Sequence, residues 1–235
     1  MKTIPGIECV TVGAIETNCW LFQWPADQAS RNPNDNKPCI IIDPGDEAGK
    51  IISRLTELNW TPQFIFLTHG HFDHLTALPA LLEKYRDVSG PKIGIHGADA
   101  NSLGKDSLAL HRESFIAAGG NAAYIDALWK PRGLSSAMPG ADIVFKDSDS
   151  AGPFKVLHLP GHTPGSAAFY DEKGGVLFSG DTLFRGNCGR TDLPGGDREL
   201  LKKSLKRLLS LNEDTVVFPG HGPATNIKNE KKTFF

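Results

Sequence analysis

An α/β fold is predicted by three features of this 235-residue chain. Short apolar runs of strand length, such as Cys39-Ile40-Ile41-Ile42 and Phe64-Ile65-Phe66-Leu67, are bounded by turn residues. Between them lie segments whose leucines and isoleucines recur at helical spacing. Several of the apolar runs end in Gly/Pro turns that carry His or Asp, and strand ends are where open α/β sheets bind ligands.

Taken in order, residues 9–12 and 19–24 read as two short strands around Gly13-Ala14. Residues 25–38 are rich in Pro, Asn, Asp, Ser and Lys and read as a polar surface loop. The run Cys39 to Ile42 is continuously apolar, as a buried strand should be, and Asp43-Pro44-Gly45 stops it. Asp43 is then either a turn residue or a group that holds a metal ligand by hydrogen bond. A helix follows at 47–58, with Ile51, Ile52, Leu55 and Leu58 on one face. The strand at 64–67 leads into Thr68-His69-Gly70-His71-Phe72-Asp73-His74, and a helix is expected over 75–85. Lys92 to His96 is another strand, and its terminal His96 reads as structural.

Residues 97–140 carry scattered apolar positions broken by Gly119-Gly120 and Pro131. They read as short helices in an insertion placed as a lid over the site, with His111 assigned no role. Strands resume at 143–145, 154–159, 175–178 and 215–218. The last three lead to Gly161-His162-Thr163-Pro164-Gly165-Ser166, Ser179-Gly180-Asp181-Thr182 and Pro219-Gly220-His221-Gly222-Pro223. Residues 184–197 are glycine-rich and are expected to be a flexible loop, and Leu200, Leu201, Leu205, Leu208 and Leu209 mark an amphipathic helix. With no internal repeat and no Gly/Ser or Pro-rich linker, residues 1–235 are expected to form one domain.

Composition narrows the function. The 25 basic and 27 acidic residues give a net charge of −2, which offers no general attraction to nucleic acid or an anionic membrane. No apolar run approaches the ~20 residues that span a bilayer. The first ten residues lack the basic and apolar regions of a secretion signal, so a cytoplasmic location is expected. The four cysteines, Cys9, Cys19, Cys39 and Cys188, form no CxxC pair and are expected to be free, mostly buried thiols. Cys188 lies in the glycine-rich loop near the proposed site.

Three histidines and an aspartate within six positions suit Zn²⁺, Fe²⁺ or Mn²⁺. Such closely spaced groups cannot all reach one ion in good geometry. His69 and His71 can point the same way from extended chain, whereas Asp73 and His74 aim elsewhere. That division predicts two adjacent metal sites, completed by His162, Asp181 and His221 from the later strand ends.

The order HxHxDH, GHTPGS, SGDTLF, PGHGP resembles that of the metallo-β-lactamase superfamily, from about Ile7 onward. The resemblance implies an αββα four-layer sandwich with metals at one edge. It implies one metal on His69, His71 and His162, a second on Asp73, His74 and His221, and Asp181 as the bridge. Two divalent ions, zinc before iron or manganese, are the expected cofactors. Gly180-Asp181-Thr182-Leu183-Phe184 followed by Gly189-Arg190-Thr191-Asp192-Leu193-Pro194 is similar to the glyoxalase II group, the hydroxyacylglutathione hydrolases, in a short form. Longer members carry an extra C-terminal helical region that helps to bind glutathione, and the short form is expected to be without it.

The expected reaction is hydrolysis of a thioester such as S-D-lactoylglutathione by a metal-bridging hydroxide, which the cations would form near neutral pH and Asp73 would orient. Arg190, and more weakly Arg185, could steer a substrate carboxylate. The expected partner is thus a small, glutathione-derived acyl-thiol, with no nucleic acid and no membrane. The nearest alternative is a mononuclear-iron dioxygenase acting on glutathione persulfide. Gly186-Asn187-Cys188-Gly189-Arg190-Thr191-Asp192 resembles that group, but Leu193-Pro194 departs from its usual Phe-Gln. A β-lactam hydrolase or a nuclease fits less well, for want of a signal and of a basic face. From another class, a binding protein could use metals only to hold its fold, although structural sites are normally closed.

Overall fold

The computed structural model describes residues 4–24, 36–88, 90–121, 123, 125–126 and 138–234. Strands Ile7–Val12 (β1), Thr17–Gln23 (β2), Lys37–Ile42 (β3), Trp60–Phe66 (β4), Lys92–His96 (β5) and Ile143–Phe145 (β6) form one six-stranded sheet in that order. The first two pairings are antiparallel and the other three parallel. Ser150–Ala151 (β7), Phe154–His158 (β8), Ala167–Asp171 (β9) and Val176–Gly180 (β10) begin the second sheet. The hairpin Leu183–Phe184 (β11) and Asn187–Cys188 (β12) stands apart, and Val216–Pro219 (β13) and Thr225–Asn226 (β14) complete the second sheet in the order β14-β13-β10-β9-β8-β7. The helices are Ala48–Leu58 (α1), Leu78–Tyr85 (α2), Ser107–Ala117 (α3), Arg198–Leu209 (α4) and Ile227–Phe234 (α5).

The αββα sandwich follows from side-chain alternation. Successive residues of a strand face opposite sides. In β3, Ile40 and Ile42 point into an inter-sheet core while Cys39 and Ile41 join the core under the helices. Phe66 and Ile65 divide the same way in β4, and Phe178 and Leu177 in β10. A strand buried on both faces must be apolar throughout, which is why 39–42 lacks an alternating pattern. The inter-sheet layer is aromatic. Phe66 stacks on Phe169 at 5.2 Å between ring centroids, and Phe22 meets Phe154 edge-on at 4.8 Å. Outside, Ile51, Leu55, Leu78 and Leu81 cover the first sheet, and Leu201, Leu205, Leu208 and Ile227 cover the second.

Several expectations are corrected. The helix after the histidine cluster begins at Leu78, not residue 75, because Pro79 has no N–H and belongs in a first turn. A 3-10 turn, Phe72–His74, occupies the space before it. Strand β3 begins at Lys37 within the expected polar loop, whose remaining residues 25–35 lie outside the described residues. In the stretch 97–140, α3 is present and ends before Gly119 (φ +84°), while 127–137 lie outside the described residues. Residues 183–188 form a hairpin rather than a flexible loop. Buried Glu230 of α5 accepts the Gly186 N–H at 2.7 Å and holds it. Cys19 and Cys39 are buried, but Cys9 is exposed on the edge strand β1 and Cys188 is half-buried. Among the described residues no helix is long and apolar enough to cross a membrane.

One polar clasp ties α4 to the second sheet. Arg207 donates to Asp147 at 2.8 Å and to the His158 carbonyl at 3.0 Å, and the His158 N–H donates to Asp147 at 2.8 Å. Partial burial works against the Asp147 carboxylate, but Arg207 and the His158 N–H outweigh it and bring it from 3.8 down to about 2. A carboxyl lowered in the folded state gives stability that is complete above its unfolded value and is lost as pH falls through the folded one. Asp147→Asn is therefore expected to unfold more readily at pH 7, by about 0.2–1 kcal/mol for so exposed a pair. The deficit should vanish between pH 4 and 2, as urea melts across that range would show.

Candidate metal centre

The four His/Asp-bearing turns meet at one edge of the sandwich, as their positions at the ends of β4, β8, β10 and β13 require. Ligand atoms of His69, His71 and His162 lie within 4.8 Å of one another, and so do those of Asp73, His74 and His221. Asp181 stands between the groups. Its Oδ2 is 3.6 Å from His162 Nε2 and 3.5 Å from His221 Nε2, and its Oδ1 is 3.6 Å from His74 Nε2. Every sequence-predicted ligand is thus in the cluster. A third grouping, Asp43, His69 and His74, also meets the distance condition.

Local hydrogen bonds dictate which imidazole nitrogen faces inward. His162 Nδ1 donates to the Arg190 carbonyl at 2.8 Å, His221 Nδ1 to the Ile15 carbonyl at 3.0 Å, and His74 Nδ1 to Asp43 at 3.0 Å. Thr68 Oγ1 donates to Asp43 Oδ2 at 2.6 Å, so at 3.0 Å it accepts from His69 Nδ1. With each Nδ1 carrying the proton, Nε2 keeps a lone pair for the shared space. The Nε2 atoms of His69, His74 and His162 and the Oδ1 of Asp181 are buried with no hydrogen-bond partner. Buried polar atoms are rarely left in this way, and divalent cations suit this donor set. Metal ions therefore fit these residues.

The electrostatics agree for the first group. Burial pushes the His71 imidazole down to about 3, helped by the neighbouring His162, and burial likewise holds His69 well below its usual range. Both are neutral, the form that binds metal. In the second group, burial is outweighed at His74 by Asp73, Asp181 and Asp43, and at His221 by Asp73 and Asp181, so both imidazoles are raised above their usual range and a cation there would have to displace a proton. Burial alone would raise Asp73, but His74 and His221 hold it well below the ordinary carboxylate range. Burial raises Asp181, against the pull of His74, His162 and His221.

Close approach is made possible by glycine. Gly180 has φ +50°, and a Cβ there would lie 2.3 Å from Thr68 Oγ1. A Cβ on Gly220 would lie 2.1 Å from Asp181 Oδ1 and 2.8 Å from the His74 ring. Above the cluster is a cavity of about 280 Å³ lined by Ile15, Phe72, Ser114, Phe115, Ala118 and Leu193 together with the His/Asp groups. Three of those residues come from α3 and its end, so the expected lid segment does reach the site.

Arg190 reaches the cavity, but its guanidinium is held by Asp192 through two 2.7 Å hydrogen bonds, while its carbonyl orients His162. Arg185 donates to the Ala224 carbonyl. Burial raises the Cys188 thiol despite Arg198, so it is not a ready nucleophile. His96 stacks on His158 at 3.9 Å, and His111 is buried against the Ser102 carbonyl; neither joins the cluster. Sequence reasoning missed Thr17, which donates to Asp73 at 3.1 Å. It also missed Asn18, whose amide donates to the carbonyls of Pro219 and Gly222 and so fixes the His221 turn. Their signal, two polar residues opening an apolar strand, is weak.

A histidine–aspartate cluster at the edge of an αββα sandwich defines a metallo-hydrolase architecture, and comparison with known proteins agrees. The chain belongs to the metallo-beta-lactamase superfamily, whose profile matches residues 12–221. It is 36% identical to hydroxyacylglutathione hydrolase GloC of Haemophilus influenzae, over 97% of this chain and 95% of that one. Among solved structures it is similar to TTHA1623 in a di-iron-bound form, with 36% identity, a TM-score of 0.72 and coverage of 96% and 98%. It is similar also to the BLEG-1 B3 metallo-beta-lactamase, with 33% identity, a TM-score of 0.73 and coverage of 96% of each chain.

Proposed function

We propose that the chain is a single-domain, metal-dependent thioesterase, acting on a glutathione-derived acyl-thiol such as S-D-lactoylglutathione. The observation that carries this reading is the position of Asp181 between two groups of His/Asp side chains, among which the Nε2 atoms of His69, His74 and His162 are buried without a hydrogen-bond partner. The similarity to a hydroxyacylglutathione hydrolase over nearly the whole length supports the substrate class.

His69, His71 and His162 would hold one cation and Asp73, His74 and His221 the other, with Asp181 shared. Such a pair supplies an activated water and a Lewis acid for a carbonyl oxygen. Asp73, which accepts a hydrogen bond from Thr17, would orient the attacking water. Phe72, Phe115, Ile15 and Leu193 would exclude bulk water and receive the acyl-thiol. Arg190 would meet a substrate carboxylate at the rim only by sharing it with Asp192.

The test is metal content per chain on protein purified without added metal, together with assays of turnover. About two ions per chain, thioester cleavage and its loss on chelation are expected. One iron with oxygen uptake on glutathione persulfide, and no thioesterase activity, would overturn the reading in favour of the dioxygenase. The similarity to a B3 metallo-beta-lactamase makes β-lactam opening a necessary second assay, and opening without thioester cleavage would overturn it as well.

A further inference from the structure

Asp99 lies outside the His/Asp cluster, on the 3-10 segment Gly97–Ser102 that follows β5. It is 5% exposed. Its Oδ2 accepts the Gly70 N–H at 2.8 Å and the Thr163 hydroxyl at 2.7 Å, and its Oδ1 accepts the Gly165 N–H at 2.6 Å. Gly70 separates His69 from His71, and Thr163 follows His162. One buried carboxylate thus joins the two segments that present His69, His71 and His162. Those segments leave different sheets, through β4 and β8.

The fit around Asp99 is close. A Cβ on Gly165 would fall 2.5 Å from its Cγ, and one on Gly70 would fall 3.3 Å from its Cβ. Ser102 Oγ donates to the Asp99 carbonyl at 2.7 Å and fixes the 3-10 turn beneath it. The His71 and His162 rings, at 4.6 Å between centroids, therefore have their spacing set by a shared acceptor. The second group has no hydrogen bond to Asp99 among the described residues; Thr17, Asn18 and Asp43 support it instead.

We propose that Asp99 is a positioning residue for the His69/His71/His162 cation site, setting the affinity of that site and not of its neighbour. This rests on the two-metal reading above. Groups that orient metal ligands typically contribute about 10–100-fold in metal affinity. An amide at this position would present N–H₂ to at least one of the three donors and break the shared acceptor.

The experiment is calorimetric titration of chelator-stripped protein with Zn²⁺. Wild type is expected to bind two ions. Asp99→Asn should bind one as wild type does and the other roughly 10–100-fold more weakly. In a His221→Ala background the same substitution should weaken the remaining ion; in a His162→Ala background it should leave the remaining ion unchanged. Unaltered affinities, or equal weakening of both sites, would overturn the proposal. If Asp99→Asn fails to fold by circular dichroism, Thr163→Val removes one of the three bonds and should show the same selectivity, at roughly 2–10-fold. A wild type that binds two ions but cleaves no thioester would overturn the thioesterase reading and leave this one intact. A wild type that binds none would overturn both.

Discussion

Replacing His162 with alanine is expected to lower thioester turnover by roughly 10³-fold and to remove one of two metals, since a bound cation supplies several kcal/mol of transition-state stabilisation. The imidazole is 3% exposed, and its orientation comes from a backbone acceptor, the Arg190 carbonyl. Alanine removes the Nε2 that faces Asp181 and His71 but leaves that carbonyl able to meet water in the small space vacated. The fold should survive, because His162 belongs to none of the three hydrophobic clusters. Metal analysis separates this outcome from simple unfolding. One ion per chain, a native circular dichroism spectrum and collapsed turnover are expected together. Full activity with His162 absent would sink its assignment as a ligand.

The residues that meet at the candidate site were largely legible in the sequence because they mark themselves locally. Four fall within His69 to His74, and the others each sit on a Gly/Pro turn after an apolar strand, an arrangement with few uses other than binding. The groups that hydrogen-bond to those side chains and their turns were not legible. Asp99 bonds residues 29, 64 and 66 positions away, and Thr17 bonds one 56 positions away, so no local pattern marks them. The acceptors for His162 and His221 are backbone carbonyls, which any residue supplies. The buried strands followed from runs too apolar for half-exposed ones, and the four layers from the superfamily resemblance, whereas boundaries were lost where one residue decided them, as Pro79 does for α2. Helix α5 escaped notice because its eight residues carry three lysines and only two buried side chains, Ile227 and Glu230. Glu230 also explains the wrong expectation of a flexible loop. A single buried carboxylate from a later helix fixes Gly186, and composition cannot show that.

Asp43 separates stability from metal binding, and two substitutions should do so in opposite proportions. Its carboxylate is 1% exposed and accepts three donors: Thr68 N–H at 2.8 Å, Thr68 Oγ1 at 2.6 Å and His74 Nδ1 at 3.0 Å. Its backbone has φ +55°, which Asp and Asn tolerate and Ala does not. Asp43→Ala strands buried donors and adds backbone strain, so a loss of about 3–5 kcal/mol is expected in chemical denaturation. Asp43→Asn keeps the backbone and can still accept the Thr68 N–H, so most of that stability should remain. Its N–H₂, however, faces Thr68 Oγ1 and His74 Nδ1. To avoid two donors meeting, His74 would have to accept at Nδ1 and carry its proton on Nε2, the nitrogen that faces Asp73 and Asp181. Metal at the Asp73/His74/His221 site should then weaken by at least about tenfold. Zinc titration and urea melts on both variants measure the two effects. An Asn variant that binds both ions as tightly as wild type would show that His74 does not need Asp43 to present its Nε2.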